Sequence, residues 1–375
     1  MRLCIVTHNV IKGDGQGRVN YEVALEAIRR GHHVTLLASQ VASELEQHPQ
    51  VNWVAIPVKG WPTELLRNFI FAVFSTNWLH QHRHEIDVVK INGAITHAPG
   101  DVNAAHFVHS SWLKFSSGKA KPKSRRVFYN FYQWLYTALN ARWEKRAFHQ
   151  ARVVVAVSKK VAQDLQTIGV LPKNIRVIVN GVDLQEFAPG NMNRLQWNLP
   201  AEVPLALFAG DIRISRKNLD TVLKALVQVP DLHLAIAGIT EGSPYLQLAA
   251  SLGLQERVHF LGLRRDIPDL MKAVDFLVFP SRYEPFGLVV IEAMASGLPV
   301  ITASSTGAAD LVKPESGIVV ADSDDVESLA QAMLTLSSDR HLRQTMGEAA
   351  RAIATQHSWT SMAQCYVDLF EELKQ

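Results

Sequence analysis

The chain has 375 residues, which favours two domains of similar size over a single average domain. Its composition, with 47% hydrophobic and 19% charged residues, is that of an ordinary globular protein. A net charge of +3 does not indicate a nucleic-acid-binding protein, although it suits anionic small molecules or an anionic surface.

The N-terminal sequence MRLCIVTHNV lacks the apolar run of a signal peptide. No stretch of the chain approaches the roughly 18 apolar residues of a membrane span. The two cysteines, Cys4 and Cys365, lie near opposite ends of the chain, which indicates reduced thiols rather than a disulfide framework. We therefore expect a cytoplasmic protein.

Short β-branched apolar segments alternate with amphipathic segments along the whole chain. The candidate strands are RLCIVT, HVTLLA, VNWVAIP, IDVVKIN, NAAHFVH, RVVVAVS and IRVIVNG, then LALFAG, LHLAIAG, RVHFLG, VDFLVFP, LPVITAS and GIVV. Strands without strict alternation, separated by helical patterns, are typical of parallel sheets covered on both faces. The series restarts after a Pro- and Asn-rich segment at 187–204, a candidate linker, so the sequence predicts two doubly wound α/β domains.

A glycine loop follows the first candidate strand, in HNVIKGDGQGRVNYEVALEAIRRG. Gly13, Gly15 and Gly17 would let the backbone approach a phosphate at a helix N-terminus, where free N–H groups favour anions. A dinucleotide site would need a third glycine where Arg18 stands, and an acid near Ala38 at the end of the second strand. NAD binding is therefore disfavoured, and a phosphate loop or a simple strand-to-helix connection remain as alternatives.

Three cations lie between a strand and a helix in the segment FAGDIRISRKNLDTVLKAL: Arg213, Arg216 and Lys217. Cations at a helix N-terminus are unfavourable for the helix dipole. They are better explained by a diphosphate bound at this turn, with a solvated basic loop as the alternative.

Two glutamates occur in SRYEPFGLVVIEAMASGLPV, where Glu284 follows a strand and Glu292 lies on the helix after it. The carboxyl end of a strand in an open parallel sheet is where ligands bind. A carboxylate accepts hydrogen bonds from vicinal hydroxyls, and the backbone N–H groups of Phe286, Gly287 and Leu288 suit phosphate or hydroxyl oxygens. A ribose, a diphosphate and a sugar in a row would meet these needs.

Together these segments resemble the retaining GT-B glycosyltransferases of glycosyltransferase family 4. The matching pieces, in the right order over most of the chain, are the E-x7-E pair, EAMASGLPVI, STGAADLV, NGVD and the N-terminal glycine loop. The resemblance implies two Rossmann-like domains facing a cleft. Residues 1–186 would form the acceptor-side domain, with a C-terminal helix at 358–375 packing back on it, and residues 187–357 the nucleotide-sugar-binding domain.

The resemblance also implies roles for the residues of the second domain. Glu292 would hold the ribose hydroxyls of a nucleotide-sugar, and Lys217 would pair with its diphosphate. The family's arginine partner is replaced by Asp211, so the second cation is Arg213 or Arg216. Glu284 would face the transferred sugar, and the backbone contacts to the donor would come from Phe286, Gly287, Leu288 and Val289.

From the first domain, the resemblance implies a contact of Gly15 and Gly17 with the donor and a histidine near the leaving sugar. The segment AHFVHSSW offers His106 and His109, of which His109, just past the strand end, is favoured. The expected catalytic groups are thus His109, Glu284, Lys217 and Arg213.

The implied activity is retaining transfer of a sugar from a nucleotide-diphosphate-sugar to an acceptor hydroxyl on a glycan or glycolipid. A UDP-sugar is favoured over a GDP-sugar as co-substrate, with no other cofactor and no metal. The alternatives are a GT-B sugar-nucleotide epimerase and an inactive nucleotide-sugar-binding protein. The D-x-D spacing of Asp322 and Asp324 is interpreted as a helix start, with a capping box formed by Asp324 and Glu327 rather than a metal site.

An acid-free stretch at 102–143 combines cations with aromatic residues. Such a mixture suits the headgroup layer of an anionic membrane, although the aromatic spacing is also that of an ordinary helix core. Peripheral membrane contact and a loop that gates a soluble acceptor therefore both remain open. The cations are Lys114, Lys119, Lys121, Lys123, Arg125, Arg126 and Arg142, and the aromatics Phe128, Tyr129, Phe131, Tyr132, Trp134 and Tyr136.

Overall fold

The computed structural model describes residues 1–117 and 127–374. The chain divides into two compact units, one formed by Met1–Gly181 with the C-terminal segment from Trp359 onward, the other by Val182–Ser358. The boundary thus falls at Gly181, whereas the sequence placed it at residue 186.

The first unit is built on a parallel sheet of seven strands in the order β5-β3-β1-β6-β7-β8-β9. The order reverses between β1 and β6, which makes their carboxyl ends the switch point of the sheet. A separate two-stranded sheet pairs β2 with β4. The strands of this unit are β1 Arg2–Val6, β2 Asn9–Val10, β3 His33–Ala38, β4 Gln40–Val41, β5 Val51–Ala55, β6 Val88–Asn92, β7 Val102–Ala105, β8 Val153–Ala156 and β9 Ile175–Val177.

Within the described residues, six α-helices connect these strands, and a further helix, Trp359–Lys374, packs on the unit from the C-terminal segment. This C-terminal helix packs on α1. It buries Tyr366 and Phe370 and exchanges an ion pair between Arg30 Nη1 and Asp368 Oδ1 at 2.6 Å. The helices before it are α1 Gly15–Arg29, α2 Ser43–Glu46, α3 Glu64–His82, α4 His109–Ser117, α5 Val127–Gln150 and α6 Lys159–Thr167.

The second unit repeats the architecture with a parallel six-stranded sheet in the order β12-β11-β10-β13-β14-β15. Its switch point lies between β10 and β13. The strands are β10 Leu205–Ala209, β11 His233–Ala237, β12 Val258–Gly262, β13 Phe276–Phe279, β14 Val300–Ala303 and β15 Gly317–Val320. The helices are α7 Leu219–Val227, α8 Tyr245–Ser251, α9 Ile267–Met271, α10 Leu288–Ala295, α11 Val326–Ser338 and α12 Arg340–Ala354.

Both sheets follow from apolar strands that are buried on both faces. Strands β10 and β13 are fully buried along their length, and β1 is buried from its second residue onward. Two short 3-10 turns follow strands in the second unit, Ser215–Lys217 with three residues and Gly307–Leu311 with five. The prediction of two doubly wound α/β domains is confirmed.

Two predictions about local structure are wrong. Residues 187–204 are part of the second unit rather than a free linker, because Trp197 is buried and Arg194 donates to Asp275 Oδ2 at 2.9 Å. The cap of α11 is Asp325, whose carboxylate accepts from the Ser328 N–H at 3.0 Å, and not Asp324. Asp324 instead accepts from Arg282 Nε at 2.5 Å.

None of the helices in the part of the chain that the structure describes is long and apolar enough to cross a lipid bilayer.

Candidate functional site

The switch point of the second unit brings together two loops that each follow a strand. The loop after β10 ends in the 3-10 turn that carries Arg216 and Lys217, and the loop after β13 carries Glu284. Lys217 Nζ lies 2.5 Å from Glu284 Oε2, and Arg216 Nη1 lies 3.3 Å from the same oxygen. All three side chains are mostly buried, with 19% or less of each exposed. We call these three residues the charged cluster.

The charged cluster is held in place by two residues that sequence reasoning missed. Arg282, only 10% exposed, donates to both carboxylate oxygens of Asp220 at 2.8 and 2.7 Å and to the Ser215 carbonyl at 2.7 Å. Asn218 adopts a left-handed φ of 68° and donates to the Pro280 carbonyl at 2.9 Å. These contacts tie the turn after β10 to the loop after β13, so the cations are positioned before a ligand arrives.

The two candidates for the second cation have different partners. Arg213 is about half exposed and forms a two-point ion pair with Asp211, at 2.9 and 2.8 Å. This pairing lowers the pKa of Asp211, chiefly through the guanidinium hydrogen bonds. Arg216, by contrast, reaches Glu284 and the Tyr283 carbonyl. Of the two arginines, only Arg216 joins Lys217 and Glu284.

Glu292 lines a neighbouring cavity of about 320 Å³ at the carboxyl ends of β10, β11 and β12. Gly210 and Val289 line the same cavity. Burial, with a smaller contribution from the negative charge of Glu186, raises the pKa of Glu292 to about 7. Gly210 also packs against the Lys217 side chain, so the cavity adjoins the charged cluster. The structure therefore places both glutamates of the E-x7-E pair at one edge of the sheet.

The start of α10 separates the two glutamates. Gly287 adopts a left-handed φ of 94°, and a Cβ atom there would lie 3.0 Å from Thr306 Cγ2. The Phe286 carbonyl accepts from the Ala308 N–H at 2.7 Å, which fixes the turn. The first N–H groups of a helix have no intrahelical partner, so Leu288 and Val289 begin α10 with donors suited to an anion.

The first unit carries a pocket of about 290 Å³ at its own switch point, which we call the switch pocket. His8 follows β1, and Asn92 and Gly93 lie at the end of β6. Its wall is pre-organised by Asn68, whose Oδ1 lies 3.0 Å from His8 Nε2 and whose Nδ2 donates to the Tyr136 hydroxyl at 3.2 Å.

Both candidate histidines line the switch pocket, but in different states. His109 Nδ1 lies 2.7 Å from Glu144 Oε1, and the His109 backbone N–H donates to Glu144 Oε2 at 2.9 Å. His106 Nε2 is buried without a hydrogen-bond partner among the described residues. Burial, and then the nearby charge of Lys90, lower the pKa of His106 to about 3, so this imidazole is neutral.

Glu144 is the principal residue of this pocket that the sequence did not single out. It lies 35 positions from His109, on a different helix, and only 7% of its side chain is exposed. Its two oxygens are both used by His109. A carboxylate on Nδ1 fixes the imidazole orientation and leaves Nε2 available to the pocket.

The glycine loop begins α1 at the rim of the switch pocket. Asp14 caps the helix by accepting from the Gly17 N–H at 3.1 Å, and Gln16 lines the pocket. A Cβ atom on Gly17 would lie 2.9 Å from Asp14 Oδ2, so the glycine is required by this cap. Gly15 is the first residue of α1. The N-cap of α1 is thus already a carboxylate, which sequence reasoning did not foresee.

Comparison with known families agrees with this arrangement. Residues 192–353 match the family model described as glycosyl transferases group 1, and residues 13–186 match the model described as glycosyltransferase family 4. Together the two matches span most of both units.

Individual relatives are distant. A D-inositol 3-phosphate glycosyltransferase of Corynebacterium kroppenstedtii is 30% identical over 221 residues, which cover 54% of this chain and 49% of that protein. The chain therefore spans about half the length of this curated relative. Among solved structures, sucrose-phosphate synthase from Thermosynechococcus elongatus superimposes with a TM-score of 0.78 at 22% identity, over 99% of this chain and 98% of the other. Anabaena HepE, solved with UDP and glucose, superimposes with a TM-score of 0.70 at 22% identity, over 99% of each chain.

Proposed function

Because the chain belongs to the GT-B glycosyltransferases, with both the group 1 and the family 4 models matched, we propose that it transfers a sugar from a nucleotide-diphosphate-sugar to an acceptor hydroxyl. The acceptor we propose is a glycan or glycolipid, and the stereochemistry retaining. The observation that carries the proposal is the charged cluster beside the cavity of Glu292, at the switch point of one sheet.

The donor would bind along this edge. The guanidinium of Arg264, which lines the same cavity, is paired with Asp266, so ribose hydroxyls entering the cavity would supply hydrogen-bond donors to the Glu292 carboxylate. Lys217 and Arg216 would exchange part of their contact with Glu284 for the diphosphate, a better match for two cations. Glu284 would then face the sugar, together with the backbone at Gly287 and Leu288.

The chemistry in this proposal is electrostatic. As the bond to the sugar breaks, negative charge grows on the leaving diphosphate, and pre-positioned cations stabilise it without reorganising. The reaction needs no protein nucleophile and no metal, because the leaving phosphate oxygen accepts the acceptor proton on the same face. His109, held by Glu144, would donate to the sugar from the acceptor side.

We propose UDP as the nucleotide of the donor, because HepE, which shares the fold over 99% of each chain, was solved with UDP and glucose. The runner-up is a GDP-sugar. The remaining alternatives, an epimerase without an acceptor and an inactive binding protein, are separated from transfer by the products they leave.

Proton NMR of UDP-glucose with the purified chain tests the proposal. We expect UDP release and slow hydrolysis without acceptor, and a glycoside of unchanged anomeric configuration with one. Glu292→Ala should weaken the binding of UDP and UDP-glucose alike, whereas Glu284→Ala should weaken UDP-glucose more than UDP. An inverted product contradicts retention, and an epimerised sugar supports the epimerase.

We also propose a cytoplasmic enzyme in peripheral contact with anionic lipid. Its support is a set of exposed apolar side chains on α3 and the adjacent α5: Phe69, Val73, Phe74 and Trp134, with exposed fractions from 37% to 59%. The two helices adjoin because the Tyr132 hydroxyl accepts from the Leu65 N–H at 3.4 Å. Of the cations predicted to bind lipid, Arg142 is exposed. Lys119, Lys121, Lys123, Arg125 and Arg126 lie outside the described residues, as does the side chain of Lys114.

A further inference from the structure

The switch pocket has the size and shape of a site for one small ring. Its volume of about 290 Å³ is at the low end of the roughly 300–1,000 Å³ of small-molecule sites. Four aromatic side chains line it, namely Phe69, Phe107, Tyr136 and Trp143. The flat face of an aromatic ring packs well against the C–H face of a pyranose, so the walls suit a sugar.

The polar groups of the pocket are mostly uncharged. Asn68 and Asn92 are each fixed by two side-chain hydrogen bonds, and Asn140 Nδ2 donates to the Tyr136 carbonyl at 2.8 Å. Amides held in this way present donors and acceptors that match hydroxyl groups, which both donate and accept.

Charge sets the specificity of the switch pocket. In the described part of the chain, none of its lining residues is a lysine or an arginine, while Glu64 and Glu144 both contribute carboxylates. Burial lowers the pKa of His8, so that imidazole is neutral as well. Lys90 lies behind the wall with its ammonium bonded to Asn20 and Asn92, and it is fully buried.

Among the described residues of the wall, a phosphate or carboxylate on the ligand would therefore meet two carboxylates and no lysine or arginine. Anionic groups bind where arginine, lysine or several free N–H groups meet them. Within the described residues, the arginine on α3 that adjoins the pocket, Arg67, is already paired with Glu64 at 2.8 Å.

We propose that the switch pocket binds the acceptor as an uncharged pyranose and discriminates against sugars or cyclitols that carry phosphate. The identification of this ligand as the acceptor rests on the proposed function. The preference for an uncharged sugar over a phosphorylated one is a property of the first unit alone. It sets this chain apart from the relative named for D-inositol 3-phosphate, whose acceptor is anionic by name.

The test is saturation-transfer NMR and calorimetry of the whole chain with methyl hexopyranosides and the same sugars as 6-phosphates, with and without UDP. At least one neutral glycoside should bind at least about tenfold more tightly than its phosphate. Trp143→Ala should weaken that glycoside about tenfold through loss of the stacking face.

A charge variant makes the test specific. Asn68→Lys places a cation in the wall and should shift the ratio of phosphate to neutral binding upward by about tenfold, the effect of one hydrogen bond to a charged group. Gln166→Lys adds the same charge on an exposed position of α6 and should leave the ratio unchanged.

The outcomes separate this inference from the proposed function. Equal or tighter binding of the phosphates to the unmodified chain overturns the neutral preference, as does the failure of every neutral glycoside to bind when UDP is saturating. A chain that binds neutral glycosides but neither UDP nor GDP keeps this inference and loses the donor half of the proposed function. A chain that binds UDP but prefers the sugar phosphates keeps the donor half of the proposed function and loses this inference.

Discussion

The two units share one topology but place different chemistry at the same edge of the sheet. In the second unit, the switch point holds two cations paired with a carboxylate, beside the cavity that Glu292 lines. In the first unit, the switch point holds amides, aromatic rings and one histidine paired with a carboxylate. The sheet fixes where a ligand binds, and the loops decide whether that ligand is charged.

The two carboxylates, Glu292 and Glu144, show this most directly. Both carboxylate oxygens of Glu144 are hydrogen-bonded to His109, one to its backbone N–H and the other to its Nδ1. Glu292 has a raised pKa because of burial and, to a smaller extent, the negative charge of Glu186. One carboxylate thus acts on a neighbouring side chain, whereas the other is left to be satisfied by a ligand. Substitutions at the two positions should have different signatures.

The substitution with the largest expected effect breaks the ion pair between His109 and Glu144 in the first unit. Glu144→Gln keeps the shape of the side chain but removes the charge that orients His109, and we expect kcat to fall about 10²–10⁴-fold. The KM for donor should stay within a few-fold, because Glu144 is a positioning residue. Glu144→Asp should recover part of the rate.

Glu64→Gln is the matched control, since it removes the same charge from the same pocket without touching His109. Its kcat should stay within a few-fold of the wild-type value. Steady-state kinetics over a range of pH, with circular dichroism as a check on folding, decides between positioning and structural roles. Equal rates for the Gln variants at 64 and 144 would show that the pairing does not matter for turnover.

The candidate site of the second unit was easier to locate in the sequence than that of the first, for a physical reason. Its candidate residues lie within two short segments, each beginning after a buried strand. The end of a parallel strand locates them without knowledge of long-range contacts. Glu144 lies in the last third of a 24-residue helix, beside Lys145 and Arg146, where the pattern is that of a solvated surface.

Tertiary contacts explain the errors within the second unit as well. Asp324 and Asp325 are equally good caps by residue type. The choice between them is made by Arg282, which takes Asp324 across the fold and leaves Asp325 to cap α11. The assignment of Arg213 to the diphosphate stays a prediction, and the structure adds that Arg213 pairs with Asp211, two residues away.

The next prediction tests whether the charged cluster binds an anion. Lys217→Ala should weaken UDP binding by about 1.5–3 kcal/mol, the value of a hydrogen bond to a charged group. Arg216→Ala should have a similar effect, and Arg213→Ala much less. Calorimetry with UDP measures all three, and Lys224→Ala, on the exposed side of α7, is the matched control. An Arg213 effect as large as that of Arg216 would reverse the assignment.

A smaller effect concerns stability and pH in the second unit. The folded pKa of Glu292, about 7, lies above its ordinary value of 4.5, so the folded state binds the proton more tightly than the unfolded state does. The free energy of unfolding should therefore fall as pH rises from about 4.5 to about 7, and stay level above that. Glu292→Gln should remove this loss and raise stability at pH 8 by roughly 2 kcal/mol, while weakening UDP binding.

Urea unfolding at pH 4.5, 6 and 8 measures this difference between variant and wild type. Glu186→Gln is the control, because Glu186 is the smaller cause of the raised pKa and should give only a few tenths of a kcal/mol. Saturating UDP should shrink the difference between the Gln variant and the wild type at high pH or reverse it, since the ligand then satisfies the carboxylate. The difference in unfolding free energy between Glu292→Gln and the wild type should be larger at pH 8 than at pH 4.5. An equal difference at the two pH values contradicts the prediction.

The smallest expected effect concerns the surface of the first unit, where the comparison extends from pockets to partners. Phe74 and Trp134 are 59% and 57% exposed, so replacing either with serine should weaken binding to anionic vesicles by roughly 1 kcal/mol, the value of partial burial of a large apolar side chain. Leu195→Ser, at a 64% exposed position of the second unit, is the matched control and should have no effect. Co-sedimentation with vesicles of phosphatidylglycerol and phosphatidylcholine measures binding, which should also fall as salt screens the surface charges. Recovery of the wild-type chain in the supernatant at low salt, with and without anionic lipid, would remove the membrane proposal and leave these apolar side chains as the rim of a pocket for a glycan free in solution.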